Sequence, residues 1–262
     1  MSLSGKTLAN TYKDILQMDN SNSGVDTSTR SVKDGEGTLS ALALSDDVVS
    51  IKPNNDNTAK TFLVEDSSGN DLLAVDTINS KVKALGNYVN TQYATFSTGN
   101  SEAQAFADDT HQAITFSSAN YGSIVYPPAF GTGTDPATSF TTAEGNGTRA
   151  SDIVPVLWYI NDNISIDAVK SIEGADTATG DLTRMHMFSY TFTSGATACL
   201  TSGTLLAHNS DVTNAGSEQP YLSSWTVDSA AVTAGKVILA FFKSDSINSD
   251  YSLQVTVKYH LT

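Results

Sequence analysis

The sequence predicts an all-β protein on three observations. Short apolar runs alternate with polar residues at a period of two. Clusters of Gly, Asn, Ser and Asp break these runs every ten residues or so, roughly the spacing of hairpin proteins. Helical spacing is confined to one stretch before Gly24. Three regions follow: an N-terminal segment with a short helix (1–36), a run of short β-strands with a connector (37–100), and an antiparallel β-sandwich of jelly-roll-like type (101–262).

In the first region Leu3, Leu8, Tyr12, Ile15 and Leu16 are spaced for one face of a helix over residues 1 to about 24. Ser4 can cap its start, and Asn20-Ser21-Asn22-Ser23-Gly24 ends it. An amphipathic element with so little around it suits docking to a partner protein or to symmetry mates.

The second region reads as five strands, at Leu42/Leu44, Val49/Ile51, Phe62/Val64, Leu73/Val75 and Val82/Leu85. Asp46-Asp47, Pro53-Asn54-Asn55 and Ser68-Gly69-Asn70 separate them, and the units resemble one another only loosely. Strands with so few apolar residues cannot bury a core within one chain. Other copies of the chain are expected to cover Phe62, Val64, Leu73, Val75 and Val82, as in a structural, multimeric protein. Residues 87–105, with Tyr88, Tyr93 and Phe96 among polar neighbours, read as the connector.

In the third region the strands lengthen. They fall at 111–117, 153–160, 164–169, 185–192, 205–206, 222–227, 236–242 and 253–261. In the last, Leu253, Val255, Val257, Tyr259 and Leu261 point one way and Gln254, Thr256, Lys258 and His260 the other, as in a half-buried antiparallel strand. Pro155 marks an edge or bulge. The long loop from Tyr126 to Asp152 is a candidate interaction surface.

With 28 acidic and 14 basic residues among 262, the net charge of −14 argues against nucleic acid and against an anionic membrane surface. Cys199 is the one cysteine, so no intrachain disulfide forms, and its apolar setting reads as a small buried hydrophobe. No apolar run reaches the roughly 20 residues of a membrane span, and the first residues lack a signal-peptide core.

Chemical motifs break on inspection. Gly5-Lys6-Thr7 lacks the upstream glycine of a phosphate loop, and a calcium loop starting at Asp19 would end on Arg30 where a bidentate Glu is needed. His111, His186, His208 and His260 have no second ligand at zinc spacing, and His186 and His260 read as ordinary strand residues. Asp46-Asp47 and Asp108-Asp109 are adjacent, so strand geometry would point them apart. No catalytic residue, metal or cofactor is expected. Trp158 and Trp225 lie within apolar strands and read as core. Tyr121, Tyr126 and Tyr221 flank Gly- or Pro-containing loops and are the candidate receptor contacts.

The run Phe62, Val64, Asp66, Gly69, Asn70, Leu72, Leu73, Val75, Asp76 has the F-x-V-x-D-x-x-G-N-x-L-L-x-V-D style of trimeric bacteriophage fibre shafts. The stretch from Val232-Thr233-Ala234-Gly235-Lys236 to Tyr259 resembles the closing strands of sandwich domains on such proteins. The chain thus resembles bacteriophage virion proteins of the fibre or spike type. The resemblance implies a homotrimer, an N-terminal segment held by other virion proteins, and a distal sandwich. It implies a short tail fibre or spike that attaches to a host envelope glycan or protein, made in the bacterial cytoplasm and carried on the virion. The alternatives are a head fibre or capsid-decorating protein, and a carbohydrate-binding module.

Overall fold

The computed structural model describes residues 15–18, 20–21, 23–99, 110–116, 139–142, 153–176, 179–215, 219–245 and 250–262. It divides into two compact units, Met1–Val89 and Asn90–Thr262.

Unit 1 consists of two antiparallel meanders. The first runs β1 (Gln17–Met18), β2 (Arg30–Lys33), β3 (Leu39–Leu44) and β4 (Val49–Ile51), and the second β5 (Phe62–Glu65), β6 (Asp71–Asp76), β7 (Lys81–Ala84) and β8 (Asn87–Tyr88). Most of the expected N-terminal helix lies outside the described residues. Its described end is not helical: Gln17 and Met18 are extended and pair with Lys33 and Val32. A short helix is marginal by itself, whereas the edge of β2 offers unpaired backbone groups. The Asn20 amide donates to the Gly24 carbonyl and to Asp26 Oδ2, folding β1 back onto β2.

The two meanders repeat one unit at an interval of 32 residues: β2, β3 and β4 begin at positions 30, 39 and 49, and β5, β6 and β7 at 62, 71 and 81. The first hairpin loop is the same in both. Asp34 Oδ1 accepts the amides of Glu36 and Thr38 at 2.9 and 2.8 Å. Asp66 Oδ1 accepts those of Ser68 and Asn70 at 2.8 and 2.9 Å. The fourth loop residue must turn left-handed, and there stand Gly37 (φ 91°) and Gly69 (φ 82°). Both hairpins also carry a register shift beside this loop. The strand expected at Val82/Leu85 stops at Ala84. Leu85 (φ 48°) and Gly86 (φ 78°) form a two-residue hairpin turn, in which both residues are left-handed as in type I′.

Unit 2 is a stack of two antiparallel sheets. Its strands are β9 (Thr91–Gly99), β10 (Gln112–Ile114), β11 (Trp158–Tyr159), β12 (Ile164–Asp176), β13 (Leu182–Thr191), β14 (Thr204–His208), β15 (Val212–Thr213), β16 (Gln219–Ser224), β17 (Thr226–Val227), β18 (Ala231–Val232), β19 (Lys236–Ser244) and β20 (Asp250–Leu261). One sheet has the order β16-β12-β20-β9, with β18 also on β12. The other has the order β10-β19-β13-β14-β17, with β11 on β19 and β15 on β13.

The first sheet contributes Ala94, Phe96, Ile166, Val169, Val255 and Val257 to the core between the sheets, and the second Met185, Met187, Leu206, Ile238, Ala240 and Phe242. Trp158 and Trp225 are buried there, as expected, and the Trp225 indole N–H donates to Ser171 Oγ at 2.9 Å. A second apolar cluster covers the opposite face of the β19 sheet: Phe188, Tyr190, Leu239 and Phe241 pack under Phe140, Ile153, Val156 and Leu200. Burial on both faces explains why β19 reads as a continuous apolar run and not as an alternating one.

Two local expectations shift. The connector over 87–105 contains β9, which pairs with β20 along its length and buries Ala94 and Phe96. Pro155 sits in a 3-10 turn (Val154–Val156), where its missing N–H costs no ladder bond.

Candidate functional site

The surface that sets unit 1 apart is apolar and uncovered. In the second meander Phe62 faces Val75, Val75 faces Val82, Val64 faces Leu73, and Leu73 faces Ala84. Directly opposed residues share a face, so these six side chains form one sheet surface. No described residue covers them fully: Phe62, Val64 and Val82 stay 37%, 40% and 37% exposed. The first meander repeats the arrangement. Leu42 faces Ile51 and Leu44 faces Val49, with Val49 69% exposed.

The other side of the second meander is closed by its own side chains. Ala74 is buried, and the ammonium groups of Lys81 and Lys83 lie over the Tyr88 ring, 4.9 and 5.2 Å from its centre. Thr61 Oγ1 bridges to Thr77 Oγ1 at 2.7 Å where β5 begins and β6 ends. The turn aspartates are held ionised. The Asn70 side chain and the loop amides pull the Asp66 pKa down, and Asn79 does the same for Asp76. Asp26 is lowered to about 2, chiefly by its hydrogen bond to Arg30 and then by the Ser28 amide. One side of this sheet is therefore satisfied, and the other presents hydrocarbon to water.

The described residues of unit 1 contain three buried positions, Val32, Ala74 and Asp76. Both hydrophobic core clusters are built from residues of unit 2 alone. Half-exposed hydrocarbon on two thin meanders offers little to offset the backbone entropy of ordering them.

The candidate receptor tyrosines do not form a site among the described residues. Tyr121 and Tyr126 lie outside them. The Tyr221 hydroxyl is occupied: it accepts the Ala215 amide at 2.9 Å and donates to Gln219 Oε1 at 3.0 Å.

Buried titratable groups in unit 2 belong to its packing. The His186 ring lies 5.2 Å from His111 and 6.5 Å from His208, and His208 Nδ1 is 2.8 Å from Asp228. His186 and His260 are buried, and His260 Nδ1 meets Asp167 at 2.9 Å. Glu173 is 1% exposed and accepts the Thr183 hydroxyl at 2.9 Å, while its Oε1 has no hydrogen-bond partner. Burial pushes its pKa up to about 7. Cys199 is half-buried, in place of the fully buried position expected for it. Among the described residues no group of three or more His, Cys, Asp or Glu is placed to hold a metal ion.

No family model matches the chain, and no curated protein shows significant similarity to it.

Proposed function

We propose that the chain is a non-enzymatic structural protein of a bacteriophage virion, a short tail fibre or spike that assembles as a homotrimer and attaches to the host surface. Unit 1 is the shaft and unit 2 the head. The carrying observation is the exposed apolar face of Phe62, Val64, Leu73, Val75 and Val82 on a unit whose described residues include three buried positions. Three parallel copies bring these faces together. Completing the burial of one half-exposed valine supplies about 1 kcal/mol per chain, and each repeat presents several such residues. The 32-residue repeat of meanders supports a shaft, because repeated units that each lack a core become stable by stacking or trimerising.

The strand order of unit 2 supports a jelly-roll head. Its main strands fall into two four-stranded sets, β9-β20-β12-β16 and β10-β19-β13-β14, as in the double-sheet barrels of capsid and lectin domains. The N-terminal segment is proposed as the part held by other virion proteins, and a host envelope glycan or protein as the partner of the head.

Light scattering on the purified full chain tests the assembly. A particle of three chains, each 27.6 kDa, is expected. A mass of one chain at micromolar concentration overturns the reading and leaves a monomeric carbohydrate-binding module in its place.

A further inference from the structure

We infer that the outer face of the β16-β12-β20-β9 sheet is a binding cleft for an uncharged polysaccharide. The inference rests on the attachment role proposed above and supplies the class of ligand.

The cleft has a volume of about 400 Å3, within the range of small-ligand pockets. Strand register builds its floor. Leu222, Ile172 and Gln254 form one rung across β16, β12 and β20. Lys170 and Thr256 form the next, and Ala168, Lys258 and Tyr93 the third. These positions point outward, because Val169, Val255 and Val257, which alternate with them, are packed into the core. The short side chains of Ala168 and Thr256 leave the middle open, and Tyr93 and Leu222 stand at opposite corners, 66% and 70% exposed. A trough exposed at both corners lets a polymer pass through without ending in it.

The lining selects the ligand. Five large hydrophobic residues are exposed among the described residues of unit 2, and Tyr93, Ile172 and Leu222 bring three of them to this one face. Between them stand the Gln254 amide and the Thr256 hydroxyl, and the flanking outward positions Thr95, Ser97 and Ser224 are hydroxyls too. Apolar plates interleaved with hydroxyls and an amide match a sugar ring, which presents a C–H face and a hydroxylated edge. No residue lining the cleft carries a carboxylate, although the chain has 28 acidic residues, so nothing there is placed to recognise an ammonium group. The net charge of −14 repels polyanions of every kind, polyuronates and polyphosphates alike. An uncharged polymer meets neither obstacle. A peptide strand would seek a free sheet edge, and the backbones of β12 and β20 are paired on both sides. The opposite face of the same strands is packed into the core, so the cleft is built on rigid elements.

The test titrates the full chain with dextran, mannan and galactan as uncharged probes and with polygalacturonate as the acidic one, at low and high salt. Binding of at least one uncharged polymer is expected, equal at both salt concentrations because no ion pair is there to be screened. Tyr93→Ala should weaken it about tenfold or more, the equivalent of about 1.4 kcal/mol. Gln254→Ala should weaken it by a smaller factor. Tyr159→Ala removes an exposed tyrosine outside the cleft and should leave binding unchanged. Absence of binding to all three uncharged polymers, binding untouched by Tyr93→Ala, or binding of polygalacturonate alone overturns the inference. The mass of each sample separates the two proposals. An intact multimer that ignores the uncharged polymers removes the cleft and leaves the assembly. A single chain that binds one of them removes the assembly and leaves the cleft. A change of mass on replacing Tyr93 overturns the inference by making the face a subunit contact.

Discussion

Strands β6 and β19 draw on similar apolar residues and meet different fates. In β19, Ile238, Leu239, Ala240 and Phe241 are completely buried, because one face packs into the sandwich core and the other lies under Phe140, Ile153 and Val156. In β6, Leu73 and Val75 stay only half-buried, because only the side bearing Ala74 is closed. Unit 2 completes its core within one chain. Unit 1 builds its backbone ladder and its turns to the same standard and leaves its hydrocarbon half-exposed. Cross-strand hydrogen bonds and turn chemistry can therefore specify a sheet without supplying what stabilises it.

The largest effect that can break this comparison is a charge on the open face. Val75→Asp should dissociate the assembly and expose unit 1 to proteolysis while unit 2 stays folded, as read by light scattering and limited digestion. An unchanged oligomer would remove the buried role of that face. Phe242→Ala probes the other unit, where Phe242 is 1% exposed. It should cost about 3–5 kcal/mol, with an unfolding midpoint of unit 2 that does not depend on protein concentration.

Glu173 sharpens the contrast through pH. Its folded pKa of about 7 lies above the ordinary value of 4.5, so folded unit 2 binds more protons between these two values. Stability of unit 2 should consequently fall as pH rises from 4.5 through 7, by up to about 3 kcal/mol. Glu173→Gln should remove that slope and stabilise unit 2 at pH 8, seen in melts at a series of pH values. The turn carboxylates of unit 1 run the other way. Their folded pKa values lie below 3.8, so their contribution is present above that pH and is lost as pH falls through the lowered values, about 2 for Asp26. The smallest effect is expected from Asp66→Ala, which removes the acceptor of the Ser68 and Asn70 amides and should loosen the β5–β6 hairpin in amide exchange without dissociating the assembly.

The comparison also explains what could be read from the sequence. Leu253, Val255 and Val257 alternate with Gln254, Thr256 and Lys258, and the structure places the first set inside and the second outside. Phe62, Val64, Leu73, Val75 and Val82 were legible as one face because alternation fixes a side within each strand. Strand β9 was not legible, since its inward residues are only Ala94 and Phe96 among Thr, Gln and Ser, and its place depends on pairing with β20 far along the chain. The repeat left a trace in Val32-Lys33-Asp34-Gly35-Glu36-Gly37 and Val64-Glu65-Asp66-Ser67-Ser68-Gly69, a shared V-x-D-x-x-G at an interval of 32, but the strands around it differ in apolar content. Tyr93, Lys170 and Lys258 carry no local signal. Only the register of three strands makes them neighbours.

The central claim is that unit 1 is held by contact between chains and unit 2 by its own core. Amide hydrogen exchange across a dilution series measures both in one sample. Protection at 62–84 should disappear on dilution in step with loss of the assembled mass, while protection at 237–242 stays constant. Protection at 62–84 that persists in single chains would contradict the claim.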